Sequence, residues 1–263
     1  MKITIITPTF NSAETLEKSM LSVLDQDYEE LEYLLIDGGS TDGTLDLIEA
    51  YAENRSFMHW LSEPDKGIAD AFNKGLKMAT GDWIGIINSD DAYAPGALET
   101  VAATILRNPD ADVIHGDLLR INEQGKPLFL FKPADLSKAI WHKMPISHPT
   151  TFVARTAYAH VGEFNNRLKV AMDYDLILRL HLAGASFCYV DRVLAQMRSG
   201  GVSDTDLWSG LRELRAVSIT HGYGRLRANG WFLYNGLTGE VKRWLRRAGL
   251  HRLLTLHPRF KKV

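Results

Sequence analysis

Along the first hundred residues, apolar and polar positions alternate in blocks that predict strands and helices in turn. Lys2 to Thr7 reads as a short strand. Leu16, Met20, Val23 and Leu24 then recur at helical period within a helix predicted from Ser12 to Asp25. Asn11, with Glu14 three residues on, has the spacing of a capping box at its start. Tyr33 to Ile36 is a second strand. A helix from Thr44 to Asn54 follows, with Leu45, Ile48 and Tyr51 on its inner face. Phe57 to Leu61 predicts a third strand, Ile68 to Met78 a helix that stops near Gly81, Trp83 to Ile87 a fourth strand, and Gly96 to Arg107 a helix. Strands alternating with helices imply βαβ units and a mostly parallel sheet.

Beyond Pro109 the alternation weakens. Val113 to His115 and Leu128 to Phe131 predict short strands around a polar turn at Asn122 to Gly125. A helix is predicted from Asp173 to Leu182, ending at Gly184, then strands from Phe187 to Val190 and Val193 to Met197. After about Leu207 the chain becomes helical and basic. There is no internal repeat and no low-complexity linker.

Composition narrows the class. The 263 residues suffice for one α/β domain with an appendage, and 45% hydrophobic with 24% charged residues is ordinary for a globular protein. A net charge of -2 gives no argument for nucleic-acid binding. Cys188, the single cysteine, excludes an intramolecular disulfide and reads as a small hydrophobe within Phe187-Cys188-Tyr189-Val190. Neither a secretory signal nor a run of about 20 apolar residues is visible, so a soluble or peripheral protein in the cytoplasm is expected.

The candidate chemistry lies where strands end. Asn88-Ser89-Asp90-Asp91 follows an apolar run directly, which points two adjacent carboxylates into the crevice at the carboxyl edge of the sheet. Such a pair repels unless a cation lies near it, and hard oxygen ligands suit Mg²⁺ or Mn²⁺. A helix-capping Asp beside a solvated one is the competing explanation. The loop Asp37-Gly38-Gly39-Ser40-Thr41-Asp42-Gly43-Thr44 combines a strand-ending carboxylate with glycines that let backbone approach a ligand, and Asp42 suits a helix cap. An EF-hand fails there, because Asp42 falls where the invariant Gly belongs and Ile48 where the bidentate Glu belongs. No phosphate-binding Gly-x-x-x-x-Gly-Lys-Ser/Thr string occurs. In Ser62-Glu63-Pro64-Asp65-Lys66-Gly67, Pro64 and Gly67 suit any tight turn, while Lys66 can supply counter-charge to a diphosphate. Glu63 and Asp70 are left without a role.

Together with Ile3 to Asn11, which ends in Thr7-Pro8-Thr9-Phe10-Asn11, these motifs in this order closely resemble the family-2 inverting, nucleotide-sugar-dependent glycosyltransferases of the GT-A fold. The resemblance is strong over roughly the first hundred residues. It continues more weakly through His148-Pro149-Thr150-Thr151-Phe152 and Met172-Asp173-Tyr174-Asp175-Leu176 to Gly200-Gly201-Val202-Ser203. It implies that Pro8, Thr9 and Asp37 line the nucleotide pocket, that Asp65 and Lys66 lie by the nucleotide, that Asp90 meets the ribose or the metal's shell, and that Asp91 holds a divalent metal. Asn88 lines the pocket. Asp173 matches the catalytic base, with Asp175 as alternate because Met172 stands where the family usually has an acidic residue. His148 falls on the acceptor side, although a lone loop His is commonly structural. Arg198 could close over the diphosphate or belong to a simple connecting loop. The family's third metal ligand, often a His near Arg198, is not visible.

The expected architecture is a GT-A-like nucleotide-diphospho-sugar transferase domain over residues 1–207, with helices flanking the sheet, and a helical basic extension over 208–263. The expected function is metal-dependent inverting transfer from a nucleotide-sugar, a UDP-sugar foremost, to a glycan or lipid-linked acceptor hydroxyl in surface polysaccharide or glycolipid assembly. Two other readings are a nucleotidyltransferase, which would want a Gly-rich basic signature after strand one, and a catalytically silent sugar-nucleotide-binding scaffold. In the C-terminal tail, Lys242, Arg243, Arg246, Arg247, Arg252, Arg259, Lys261 and Lys262 interleave with Trp244, Leu245, Leu250, Leu253, Leu254 and Leu256. That pattern fits an interfacial helix on the inner face of a membrane, or a helix packing its leucines on the main domain.

Overall fold

The computed structural model of the chain describes residues 1–199 and 207–247. The Gly200 to Ser203 turn and the tail beyond Arg247, including the expected stop at Pro258, lie outside the described residues. Four strands, β1 (Ile3–Thr9), β2 (Leu31–Asp37), β3 (Met58–Ser62) and β4 (Trp83–Ile86), run parallel in the order β3-β2-β1-β4. Helices α1 (Leu16–Leu24), α2 (Thr44–Ala52) and α3 (Ile68–Met78) connect them, and α4 (Ala97–Arg107) follows. Every residue of β1 and β2 is buried, as befits strands covered on both faces.

The second half makes the sheet mixed. β8 (Thr151–Ala154) lies antiparallel between β4 and β6 (Val113–Ile121). β9 (Phe187–Arg198) runs parallel to β6, and β7 (Pro127–Phe131) pairs antiparallel with β6. The two strands expected between Phe187 and Met197 are this one strand, and its pairing with β6 shifts register at Gly116 and Asp117. β5 is only Ala92–Tyr93, pairing antiparallel with Gln196 and Ala195 of β9. Its two residues bring the end of β9 beside the Asp90-Asp91 turn. Two short helices, α5 (Leu136–Ala139) and α6 (Arg155–Val161), precede α7 (Met172–Leu182). The C-terminal helices α8 (Leu207–Thr220) and α9 (Arg225–Arg247) pack on one another. No described helix is long and apolar enough to cross a membrane.

Pro8 sits in a central strand, where a missing donor would normally cost a ladder bond. Ile6 O accepts Ile87 N and Thr9 O accepts Gly38 N, so alternation turns the Pro8 nitrogen toward β4. The β1–β4 pairing has already ended at Ile6 and Ile86. No bond is lost.

The expected capping box is corrected. The helix starts at Leu16, with Thr15 as N-cap and no side-chain cap bond. Asn11 adopts a left-handed φ of 48° and accepts from Thr41 N at 2.9 Å, while its own N–H donates to Ser40 Oγ at 2.8 Å. Its amide cross-links two loops at the carboxyl edge of the sheet, so it is unavailable to the helix.

At the opposite edge, buried Glu32 accepts from Thr4 Oγ1 (2.6 Å), Thr80 N (2.7 Å), Thr80 Oγ1 (2.6 Å) and Lys2 Nζ (2.9 Å). Burial raises its pKa, but these bonds outweigh burial and bring it down to about 2 from an ordinary 4.5. A depressed folded-state pKa stabilises above the unfolded value, and that stability is lost as pH falls from about 4.5 toward 2. The contribution is about 3 kcal/mol at neutral pH. In urea melts followed from pH 6 to pH 3, the native chain should lose about 2 kcal/mol of this increment, and Glu32→Gln should lack it at every pH.

Candidate active site

The carboxyl ends of β1, β2, β3 and β4 converge on one crevice, where Thr9, Asp37, Ser62 and Asn88 to Asp91 lie. Asp37 is fully buried. Its Oδ2 accepts from Gly39 N (3.0 Å), Ser40 N (3.0 Å) and Ser62 Oγ (2.7 Å), and its Oδ1 from Ser40 Oγ (2.5 Å) and Thr9 Oγ1 (3.2 Å). Burial pushes its pKa up, yet the Ser40, Ser62 and Gly39 bonds hold it below the ordinary value. With its lone pairs used by the protein, Asp37 shapes the loop around the pocket. The expected cap at Asp42 is corrected: Gly43 is the N-cap of α2, with no side-chain cap bond, and Asp42 one residue earlier accepts from Thr44 N at 3.1 Å and from Ala13 N at 3.1 Å, tying the loop to the residues after β1.

The loop's glycines leave room for a neighbour. A Cβ on Gly38 would lie 2.6 Å from Asp65 Oδ2 and 3.3 Å from the Phe10 ring. Only glycine lets that carboxylate stand over the backbone beside Phe10, an exposed ring. Asp65 Oδ1 accepts Gly67 N at 2.8 Å. Lys66 is exposed, and its backbone N–H donates to Asp70 Oδ2 at 3.1 Å. Asp70 also accepts Asn166 Nδ2 at 3.2 Å, and Glu63 pairs with Lys74 at 3.0 Å. Both residues left without a role therefore brace this rim.

At the end of β4 the carboxylates are poorly compensated. Asp91 is buried and receives Arg198 N at 3.1 Å and Asn88 Nδ2 at 3.3 Å. Burial, then the adjacent Asp90 charge, push its pKa up to about 7; burial raises Asp90 as well. Asn88 Oδ1 is buried without a hydrogen-bond partner among the described residues. Two crowded carboxylates and an unused amide oxygen form a hard, anionic donor set that fits Mg²⁺ or Mn²⁺. Among the described residues no cluster of three His, Cys, Asp or Glu side chains could hold a metal by itself. Such ions characteristically complete their shell with water and substrate phosphates.

A second group of residues lies at the start of α7. Asp173 lines a small cavity with Met144, His148, Tyr158, Phe164 and Leu176. Its Oδ1 accepts Tyr174 N at 2.7 Å, and burial pushes its pKa up to about 6. His148 stacks on Phe72 of α3 with centroids 5.2 Å apart, and its Nε2 is buried without a partner among the described residues. Burial lowers its pKa to about 4, so the ring is neutral at physiological pH. Asp175 points elsewhere. It is buried, paired with Arg179 Nε at 2.8 Å, and 3.2 Å from His221 Nε2.

Several residues that shape the site carry weak sequence signals. Asn73 on α3 donates to Phe164 O at 2.9 Å and accepts Phe164 N at 2.8 Å, pinning the loop that leads to α7. An Asn at a buried position of an apolar helix face was the available clue. Ser40, Ser62 and Phe10 carry none beyond their neighbourhood.

Residues 4–157 match the family model described as glycosyl transferase family 2. Over 207 residues the chain is 33% identical to a PGL/p-HBAD biosynthesis glycosyltransferase of Mycobacterium bovis, covering 76% of this chain and 78% of that protein. It is 28% identical over 198 residues to the chondroitin synthase of Pasteurella multocida, covering 73% of this chain and 20% of that larger protein. Among solved structures, S. aureus TarS 1–349 in complex with UDP-GlcNAc aligns at a TM-score of 0.66 and 22% identity, over 90% of this chain and 73% of that one. The mannosyltransferase PcManGT of Pyrobaculum calidifontis, in complex with GDP-Man and Mn²⁺, aligns at 0.66 and 20% identity, over 98% and 81%. At these identities the two structures speak for the fold, which is GT-A-like. The family match and the curated relatives identify the chain as a glycosyltransferase belonging to glycosyl transferase family 2.

Proposed function

We propose that the chain transfers a sugar from a nucleoside diphosphate-sugar to an acceptor hydroxyl with inversion, using a divalent cation, in polysaccharide or glycolipid assembly. The observation that carries this reading is the split between two kinds of carboxylate. Asp90 and Asp91 crowd together at the nucleotide edge, whereas Asp173, with a pKa of about 6, is the one carboxylate lining a separate cavity. Single displacement needs this division, because departing negative charge and a proton acceptor belong on opposite faces of the sugar.

In this reading Thr9, Pro8 and the loop braced by Asp37 line the nucleotide pocket. Asp65 and Phe10 meet the nucleoside, Lys66 faces the phosphates, and Asp90, Asp91 and Asn88 hold Mn²⁺ or Mg²⁺. The cation, when bound, neutralises charge developing on the diphosphate. Asp173 takes the proton from the acceptor hydroxyl as its oxygen bonds to the anomeric carbon and the bond from that carbon to the diphosphate breaks. A pKa near 6 keeps Asp173 ionised at neutral pH yet more basic than an exposed Asp. His148, neutral and with an unused ring nitrogen in the same cavity, orients the acceptor. The complexes of TarS with UDP-GlcNAc and of PcManGT with GDP-Man and Mn²⁺ support a nucleotide-sugar donor and a metal. A nucleotidyltransferase or a silent scaffold has no corresponding use for an isolated buried base.

A thermal-shift screen of UDP- and GDP-sugars with Mn²⁺ tests donor binding. A bound donor at a hundred times its dissociation constant should stabilise by about 2.7 kcal/mol, with the shift lost in chelator and in Asp91→Ala. A donor shift that persists undiminished in chelator removes the metal from the proposal.

Asp173→Asn should lower the transfer rate roughly 10²–10⁴-fold while leaving the donor's thermal shift intact. With metal and donor saturating, the native rate should rise with pH through about 6 and then level off, since the base works only when deprotonated. Asp175→Asn should act differently, lowering stability by about 1 kcal/mol, because it takes the charge from the pair while Arg179 keeps its bonds to the Val161, Gly162 and Glu163 carbonyls. Transfer by folded Asp175→Asn should stay near normal, measured below its melting temperature.

A further inference from the structure

Helix α9 is apolar on two sides, and among the described residues only one of them is covered. Its inner side packs on α8: a Cβ on Gly236 would lie 2.3 Å from the Trp208 ring, and one on Gly239 would lie 2.4 Å from Leu207 Cδ2. Ala228 is buried, Trp231 stacks on His142 with centroids 4.0 Å apart, and Asn235 Nδ2 donates to His142 O at 3.2 Å. The outer side carries Leu226, Leu233, Leu237, Val241 and Trp244, exposed by 88, 56, 65, 56 and 62%. At about 100° per residue these five fall within roughly 80° of arc, opposite the packed side, and extend about 27 Å along the axis. An outward stripe of that length is ordinarily polar.

Charge identifies the occupant. Arg225 and Arg227 are exposed on either side of Leu226, and the helix's sequence adds Lys242, Arg243, Arg246 and Arg247 against a single acid, Glu240. A second copy would offer this helix only another with the same excess of cations. An anionic lipid surface would complement them, and a basic helix with Leu and Trp on its other face is the pattern that lies in a bilayer interface. We propose that the outer face of α9 docks on a bilayer containing anionic lipids, with the five apolar side chains at the headgroup–acyl boundary. The helix also holds the loop at His142, and Met144 two residues on lines the Asp173 cavity. Docking here would bring the acceptor side of the site to the membrane. The inference stands apart from the transfer reading, because vesicle binding and donor binding are measured separately.

The test is co-sedimentation of the full chain with phosphatidylcholine vesicles, with and without phosphatidylglycerol. Binding should need the anionic lipid, weaken as salt rises, and fall by about tenfold or more in Leu233→Glu/Leu237→Glu, whose sites are solvent-exposed. A melting temperature and donor shift like those of the native chain would establish that the variant is folded. If that pair melts early, Leu226→Gln/Trp244→Gln replaces it. Absence of binding by the native chain overturns the proposal, as does equal binding by the folded variant. A dimer that the variant abolishes, without vesicle binding, assigns the face to a second copy. Binding lost on truncation after Arg247 but kept in the face variant assigns it to the following residues instead.

Discussion

A carboxylate taken wholly out of water has to be met by donors, and the donors of Asp37 set the shape of the crevice at the carboxyl edge of the sheet. They come from the end of β1 at Thr9, from the loop at Gly39 and Ser40, and from the end of β3 at Ser62. Three separate segments are thus drawn to one point. Once they are, Ser40 is placed to accept from Asn11, Gly38 lies beneath Asp65, and the Phe10 ring stands beside both. Replacing the buried charge without its donors, or the donors without the charge, would leave polar groups stranded and release the loop.

The same edge treats its other carboxylates in the opposite way. Asp37 is held below its ordinary pKa, whereas Asp91 is pushed up to about 7 with two donors for its oxygens among the described residues. Burial acts on both, so the difference lies in the hydrogen bonds that surround each one. A fold that surrounds one buried Asp completely and leaves another, two strands away, half-paired carries a local excess of negative charge, the property that the proposed cation would answer. The oxygens of Asp37 are taken up by the fold itself, and those of Asp91 are not.

Local patterns carried the first half of the fold because each parallel strand is a continuous apolar run closed by turn residues, and each helix has one apolar face. Ile68 to Met78 was legible to the residue, since Gly67 precedes it and its stripe has no competing period. Asn11 was misread because capping and loop bridging use the same side-chain oxygen, and its partner, Thr41, is distant in sequence. β5 and β8 are too short for any period and exist through pairing with β9, β4 and β6. Asp91 and Asp173 could be singled out by motif, but their different environments could not. The choice between Asp173 and Asp175 depended on Arg179 and His221, of which only Arg179 lies one helical turn away.

The start of α7 ties the C-terminal helices to the candidate site. Its N-cap is Ala171, which has no side-chain oxygen, so the first N–H groups would face a buried cavity unpaired. Glu213 of α8 meets the segment that enters the helix, taking Lys169 N at 3.0 Å, Val170 N at 2.8 Å and the N-cap Ala171 N at 2.9 Å, while Asp173 Oδ1 takes Tyr174 N inside the first turn. His221, just past the same helix, meets Asp175 on the next turn. The backbone leading to Asp173 is therefore held by a carboxylate from the appended helix as well as by the bond Asp173 itself makes to Tyr174 N. Burial and a held backbone together keep a carboxyl with a pKa of about 6 at one place in the cavity it shares with His148 and Tyr158, the two conditions that the proposed role of Asp173 as base requires.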